Sequence, residues 1–313
     1  MLSRSMLLKL SALMFAVGLG LLFLPQDGAR PIKPAGACGE TLGVFRAGPC
    51  GTTAYSGPGD VVSGASAWWG LRAYSSATKG NRIANICNST GGVDVACADI
   101  SSDSTTGALA PATIGGITCP GANCTVKVLY DQTGNGVDLT QTTIANRPAL
   151  TASCIGALPC MTGNGSSTQI SNLGAAPSLS QPITISSVAN NTGGAGSEAA
   201  ITGIAGGGIT QRFRFDSDVG VYAGAFLTAA AATGTWFSVT CVVNSASSDD
   251  VINGTSNTGD AGANAGASNI YLFDDSFGAP LAGKVTEAGW WPSGFSAGNK
   301  TAMSANQRAY WAF

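Results

Sequence analysis

An all-β sandwich is the fold this sequence predicts. Three observations point to it: short apolar runs broken by Gly-, Asn- and Ser-rich turns, a scarcity of helical periodicity, and cysteines that fall in close couples. With 313 residues, 44% of them hydrophobic, the chain can bury a full core. Candidate strands span 69–75, 126–130, 183–188, 211–215, 219–226, 236–243, 269–273 and 284–291, with one short helix at 302–310. TGGAGS at 192–197 and GTSNTGDAGANAGAS at 254–268 read as turns or long loops rather than a second domain. No period of about 20 to 50 residues repeats, so neither a solenoid nor a propeller is expected. Residues 36–313 are therefore read as one domain.

Ahead of that domain, residues 1–30 have the layout of an export signal: Arg4 and Lys9 precede an apolar run over 10–24, which stops at Pro25. The run is short for a spanning helix, and no clear Ala-x-Ala site follows, so an uncleaved membrane anchor is the alternative. Either way the expected location is secreted, periplasmic or at the cell surface. Eight of the nine cysteines agree, because Cys38 and Cys50, Cys87 and Cys97, Cys119 and Cys124, and Cys154 and Cys160 each enclose a short loop. Such couples suit disulfides formed in an oxidising compartment. Metal binding is the competing reading, but no CxxC or His partner accompanies them, and no metal site is expected. Cys241 lies in the apolar run WFSVTCVV and reads as a small buried hydrophobe.

Composition narrows the chemistry. Only 10% of residues are charged and the formal net charge is −2, so the basic footprint needed for nucleic acid is missing. The chain contains no histidine, which removes Ser-His-Asp and Cys-His catalysis, His-ligated zinc and imidazole acid-base chemistry. GIAGGGIT has neither a GKS/T ending nor a helix after it, so a turn between strands is expected there instead of a phosphate loop. No cofactor is implied. Any reaction must rest on carboxylates, Tyr, Lys or Cys.

The stretch VLYDQTGNGVDLTQ, residues 128–141, concentrates polar groups at a strand end. Val126, Val128 and Tyr130 are spaced to share one strand face, and Gly134 and Gly136 permit positive φ in the turn beyond. Asp131 and Asn135 could then present oxygens to a ligand, or simply cap the turn as Asx residues do. Both readings stand at this point, with Gln132 grouped alongside them.

Order and spacing over 36–141 carry a resemblance. GACGETLGVFRAGPCGTTAYSGPG, WWGLRAYSSATKGNRIANICN and ITCPGANCTVKVLYDQTGNGVDLTQ follow one another as an early Cys pair, a Leu-Arg strand (Leu71, Arg72), a Cys-x4-Cys loop and a Tyr-Asp-Gln-Thr-Gly-Asn-Gly turn leading to Leu-Thr-Gln. This resembles the catalytic domain of the fungal-type family B α-L-arabinofuranosidases, glycoside hydrolase family 54. The resemblance implies a concanavalin A-like jelly-roll sandwich, a carbohydrate partner bearing arabinose, and a retaining mechanism with two carboxyls facing across the scissile bond. It also implies where they sit. The nucleophile falls at Asp216 or Asp218 in FRFDSDVG, where Asp stands in place of the family's Glu, and the acid/base at Asp274 or Asp275 in LFDDSFG, ahead of Glu287. Glu287 and Trp291 are further candidates for substrate contact. Adjacent aromatics such as Trp68-Trp69 and Trp290-Trp291 must point to opposite strand faces, and most of them are expected to fill the core. The broad likeness of the second half to lectin-like modules, including domains of phage particles, leaves a non-catalytic glycan-binding or structural sandwich as the alternative.

Overall fold

The computed structural model describes residues 54–109, 124–172, 179–193, 198–205, 208–215, 217–266, 269–276 and 278–313. Eighteen strands and two helices appear among them. A one-turn helix α1 (Pro58–Val61) precedes β1 (Ala67–Gly70), β2 (Arg82–Thr90), β3 (Val93–Ser101), β4 (Cys124–Leu129), β5 (Leu139–Thr140), β6 (Ala149–Ile155), β7 (Leu158–Thr162) and β8 (Ile170–Ser171). The second half contributes β9 (Ile183–Asn191), β10 (Glu198–Ile204), β11 (Thr210–Arg214), β12 (Asp218–Tyr222), β13 (Phe226–Ala230), β14 (Trp236–Val243), β15 (Ser248–Ile252), β16 (Thr255–Gly259), β17 (Ile270–Leu272), β18 (Gly283–Trp291) and the closing helix α2 (Ala297–Trp311).

All ladders between these strands are antiparallel. One layer runs β1–β18–β9–β14–β15–β16, and the other runs β8–β17–β10–β11–β12–β13. Side chains that cross between them show that the layers face each other. Gln211 of β11 donates to the Val239 carbonyl of β14 at 3.1 Å, Ser187 of β9 donates to Gln211 at 2.5 Å, and the Trp290 indole reaches Thr202 of β10 at 3.2 Å. The all-β sandwich expected from the sequence is therefore the architecture observed.

Strands whose apolar residues alternate cleanly match their sequence reading: β14 fills the expected 236–243, and β18 differs by one residue. The expected single strand at 219–226 is instead a hairpin, because Gly224 at φ +110° turns the chain between β12 and β13. In β4 a register shift skips Lys127, which points Val126 and Leu129 into the core and leaves Val128 and Tyr130 half-buried. The bulge breaks the simple alternation of Val126, Val128 and Tyr130. The helix begins five residues earlier than expected. Ser296 caps it by accepting from the Asn299 amide at 3.2 Å, and its polar first turn carries no apolar period to betray it.

Trp69, Trp290 and Trp311 sit in the main core, while Trp68 and Trp291 pack with Tyr74, Phe295 and Met303 in a second cluster. The expected division of each Trp pair between opposite faces is thus observed. Cys87 and Cys97 are bridged directly across β2 and β3, Cys154 and Cys160 are bridged, and Cys124 is disulfide-bonded. Cys38, Cys50 and Cys119 lie outside the described residues, as does the segment 1–30. Cys241 is a buried free thiol. Among the described residues no helix is long and apolar enough to cross a membrane.

Candidate functional site

The polar turn after β4 is organised from within. One Asp131 oxygen accepts from the Trp68 and Thr133 amides at 3.1 and 3.0 Å, and the other accepts from the Asn135 and Val137 amides at 3.1 and 3.3 Å. Gln132 is buried, accepts from the Tyr74 amide and donates to the Gly70 and Arg72 carbonyls, tying the turn to β1. Asn135 donates to the Ala65 and Ser66 carbonyls. These three side chains serve the backbone, which corresponds to the turn-capping reading of the motif. Gln132→Leu, which strands a buried amide and two carbonyls, is expected to lower stability by about 2–3 kcal/mol in urea unfolding, on the order of 1 kcal/mol for each lost bond.

Glu287 is engaged as fully. It is completely buried on β18 and takes a bidentate ion pair from Arg72, Nε to Oε2 at 2.6 Å and Nη2 to Oε1 at 2.9 Å, while the Trp311 indole donates to Oε2 at 3.0 Å. Trp291 is 1% exposed and donates to the Val62 carbonyl. Neither side chain is accessible from solvent.

A different set of charges gathers on one face of β10–β13. Cross-strand pairing puts Glu198, Arg214 and Asp218 in one row and Ala200, Arg212, Gly220 and Thr228 in the next. Residues two apart on a strand share a face, so both rows lie on the same surface, with diagonal neighbours about 7–8 Å apart. Arg212 is the hub. Its Nη1 pairs with Glu198 Oε2, and its Nη2 donates to Asp275 Oδ2 at 2.7 Å. Asp275 comes from the β17–β18 connection, so one guanidinium joins carboxylates from two distant stretches. Tyr222 and Phe226 stack at 4.8 Å beside it, with the Arg214 guanidinium 4.2 Å from the Phe226 ring centroid. Asp274 accepts from the Asp275 amide at 2.7 Å, and burial, helped by the neighbouring Asp275 charge, raises its carboxyl above the usual range.

Comparison with solved structures places this geometry in context. The chain matches an arabinofuranosidase complexed with arabinofuranosyl-α-1,2-xylobiose at TM-score 0.63 and 15% identity, covering 80% of this chain and 64% of that one. A mutant α-L-arabinofuranosidase of glycoside hydrolase family 54, soaked with 4-nitrophenyl α-L-arabinofuranoside, gives the same TM-score, identity and coverage. A third structure, of a family 54 enzyme with a cyclic sulfate inhibitor, matches at TM-score 0.61 with 15% identity and the same coverage. The fold is that of the family 54 arabinofuranosidases. The chain spans 64% of the length of these structures. No protein-family model matches it, and no curated protein does.

Within this arabinofuranosidase-type sandwich, the sequence candidates separate into two groups. Asp218 and Asp275 come to the β10–β13 face, with Asp274 adjoining Asp275. Asp131, Gln132, Asn135, Glu287 and Trp291 are built into the scaffold, and Asp216 lies outside the described residues. Sequence reasoning missed Glu198 and Arg212. The available signal was the spacing of Arg212 and Arg214, two cations on one strand face in a chain with only 15 Lys and Arg.

Proposed function

We propose that the protein is an exported carbohydrate-active sandwich that handles arabinose-bearing glycans on the β10–β13 face, and that the chemistry this face supports is retaining hydrolysis. One observation carries the reading: Arg212 gathers Glu198 and Asp275 beside the row that holds Asp218, in the fold of the arabinofuranosidases. Export is supported by the Cys87–Cys97 and Cys154–Cys160 bridges.

In this scheme an Asp218 oxygen bonds to the anomeric carbon while the glycosidic C–O bond breaks and the leaving oxygen takes the Asp274 proton. A carboxyl whose ordinary range has been raised by burial is suited to hold that proton. Asp274, now ionised, then removes a proton from water, which attacks the same carbon and frees Asp218. Asp275, held by Arg212, fixes the loop that carries Asp274. The test is release of 4-nitrophenol from 4-nitrophenyl α-L-arabinofuranoside. Wild-type turnover that falls about a hundredfold or more in Asp218→Asn and in Asp274→Asn is the expected result. Absence of wild-type turnover, or turnover indifferent to both changes, sinks hydrolysis.

A second reading, glycan binding without cleavage, is favoured by one specific observation: Asp274 is 8% and Asp275 1% exposed, so neither lies open to a substrate in this state. Retention of an arabinan oligosaccharide on an affinity column with no hydrolysis selects this reading over the first.

A further inference from the structure

The turn built by Asp131 lines an open cleft of about 560 Å3 that shares no strand with the β10–β13 face. This volume lies within the range of roughly 300–1,000 Å3 occupied by small-ligand sites. Its walls come from residues 78–82, ahead of and at the start of β2, and residues 130–138, after β4. They are held rigidly from behind. Asp99 on β3 accepts from the Tyr130 hydroxyl at 2.6 Å, from Arg82 Nη1 at 3.0 Å and from Asn85 at 2.8 Å, and the Arg82 guanidinium lies 4.5 Å from the Tyr130 ring centroid. Asp131 fixes the opposite wall through the amides it caps.

Against this fixed frame several polar groups remain available. The Arg82 side chain is 61% exposed and gives only Nη1 to Asp99. The Asn81 side-chain amide makes no hydrogen bond to a described residue, and Asp138 uses Oδ1 on the Asp131 amide, which leaves Oδ2 without a described partner. An amide, a carboxylate oxygen and a guanidinium around the edge of one aromatic ring form a set of planar donors and acceptors suited to vicinal hydroxyls. The charge balance narrows the class further. Among the lining residues two carboxylates, Asp131 and Asp138, stand against one guanidinium, Arg82, which is already paired with Asp99 behind it, so a phosphate or uronate meets net repulsion while a neutral polyol does not.

The geometry points to the cleft between Asn81, Arg82, Tyr130 and Asp138 as a second saccharide site, taking a neutral sugar unit away from the acid-bearing face. This assignment rests on the carbohydrate reading above but not on hydrolysis. The two sites would let one sandwich grip a polysaccharide at one place while acting on, or holding, a branch at another.

The experiment is calorimetric titration of the intact protein with a neutral arabino-oligosaccharide, alongside aryl-arabinofuranoside turnover on the same samples. Arg82→Ala and Asn81→Trp alter exposed positions; the first removes the guanidinium and the second fills the cleft mouth. An affinity loss of about tenfold or more in both, with thermal unfolding and aryl-glycoside turnover unchanged, is the expected result. Wild-type binding that both variants retain and Glu198→Gln abolishes would place the sugar on the other face and overturn the assignment. Turnover without oligosaccharide binding overturns the cleft but leaves the proposed function standing, whereas absence of both removes the two together. Tighter binding of a uronate-bearing oligosaccharide than of the neutral one overturns the assigned class.

Discussion

Glu287→Ala is expected to cost about 3–5 kcal/mol of folding stability, because it leaves the Arg72 guanidinium charged, buried and unpaired. Both partners are completely buried, so water cannot replace the lost carboxylate. The pair also sits where three elements meet. Arg72 follows β1, Glu287 belongs to β18, and the closing helix contributes Trp311 to Glu287 and Asn306 to Arg72, the latter at 2.9 Å. The Tyr310 ring lies 4.4 Å from the same guanidinium. Arg72 Nη1 has no hydrogen-bond partner among the described residues, so the pair is an imperfect solvent substitute and its net worth is far below the cost of breaking it. The double change Arg72→Met with Glu287→Met should therefore recover most of the loss, since no charge then stays behind. Urea unfolding of the four proteins of this cycle measures both quantities. A single-variant loss under about 1 kcal/mol would mean the ion pair does not clasp the helix to the sheet. Unchanged saccharide affinity in Glu287→Gln, assayed under conditions where it stays folded, would separate this structural role from substrate contact.

How much of this was legible beforehand depended on whether a residue's partner lay nearby in the chain. β14 and β18 were readable because Val, Ile, Trp and Phe recur at the strand period. β2 and β3 were not, since RIANICNST and VDVACADIS are diluted with Asn, Ser, Ala and Asp, and β3 keeps most of its residues exposed. Their pairing was nevertheless foreshadowed by Cys87 and Cys97, which face each other in register. The Asx turn at Asp131 was visible as a turn, but its side-chain directions were not, so capping and ligand contact stayed equivalent until the amides were located. Long-range pairs were the least visible. Arg72 and Glu287 lie 215 positions apart, and Arg212 meets Asp275 across 63, with no local spacing to announce either. Asp249 and Asp250 fall in none of the expected strands. The fold buries both in β15, where Asp249 finds Lys300 and Asp250 finds no hydrogen-bond partner among the described residues.

That buried carboxylate makes folding stability depend on pH in a window unusual for an aspartate. Asp250 is fully buried on β15 opposite Cys241 of β14, and a side chain at Gly220 would come within 2.5 Å of its Oδ2, so glycine is what lets the carboxyl approach that strand. Burial pushes Asp250 up to about 7, and the nearby Cys241 thiol and Val221 amide, neither forming a well-aligned hydrogen bond, only soften the effect. The sign follows from where the proton resides. Below the ordinary value of 3.8 the group is protonated folded or unfolded and has no pH-dependent effect. Between there and about 7 the unfolded chain ionises while the folded one does not, so unfolding is favoured increasingly, and above 7 the penalty stays constant. At about 1.4 kcal/mol per pH unit the full penalty approaches roughly 4 kcal/mol. Asp250→Asn cannot ionise, so its stability relative to wild type should rise steadily from pH 4 to pH 7 and level off beyond. Asp94, drawn down to about 2 by its hydrogen bond from Arg147, and Asp274, raised by burial, titrate alike in both proteins and cancel in the difference. Urea unfolding of the pair at pH 4, 5.5, 7 and 8 reads that difference directly. Parallel curves would show that the buried carboxyl finds a partner or water in solution, and the predicted loss of stability toward neutral pH would then have no source in β15.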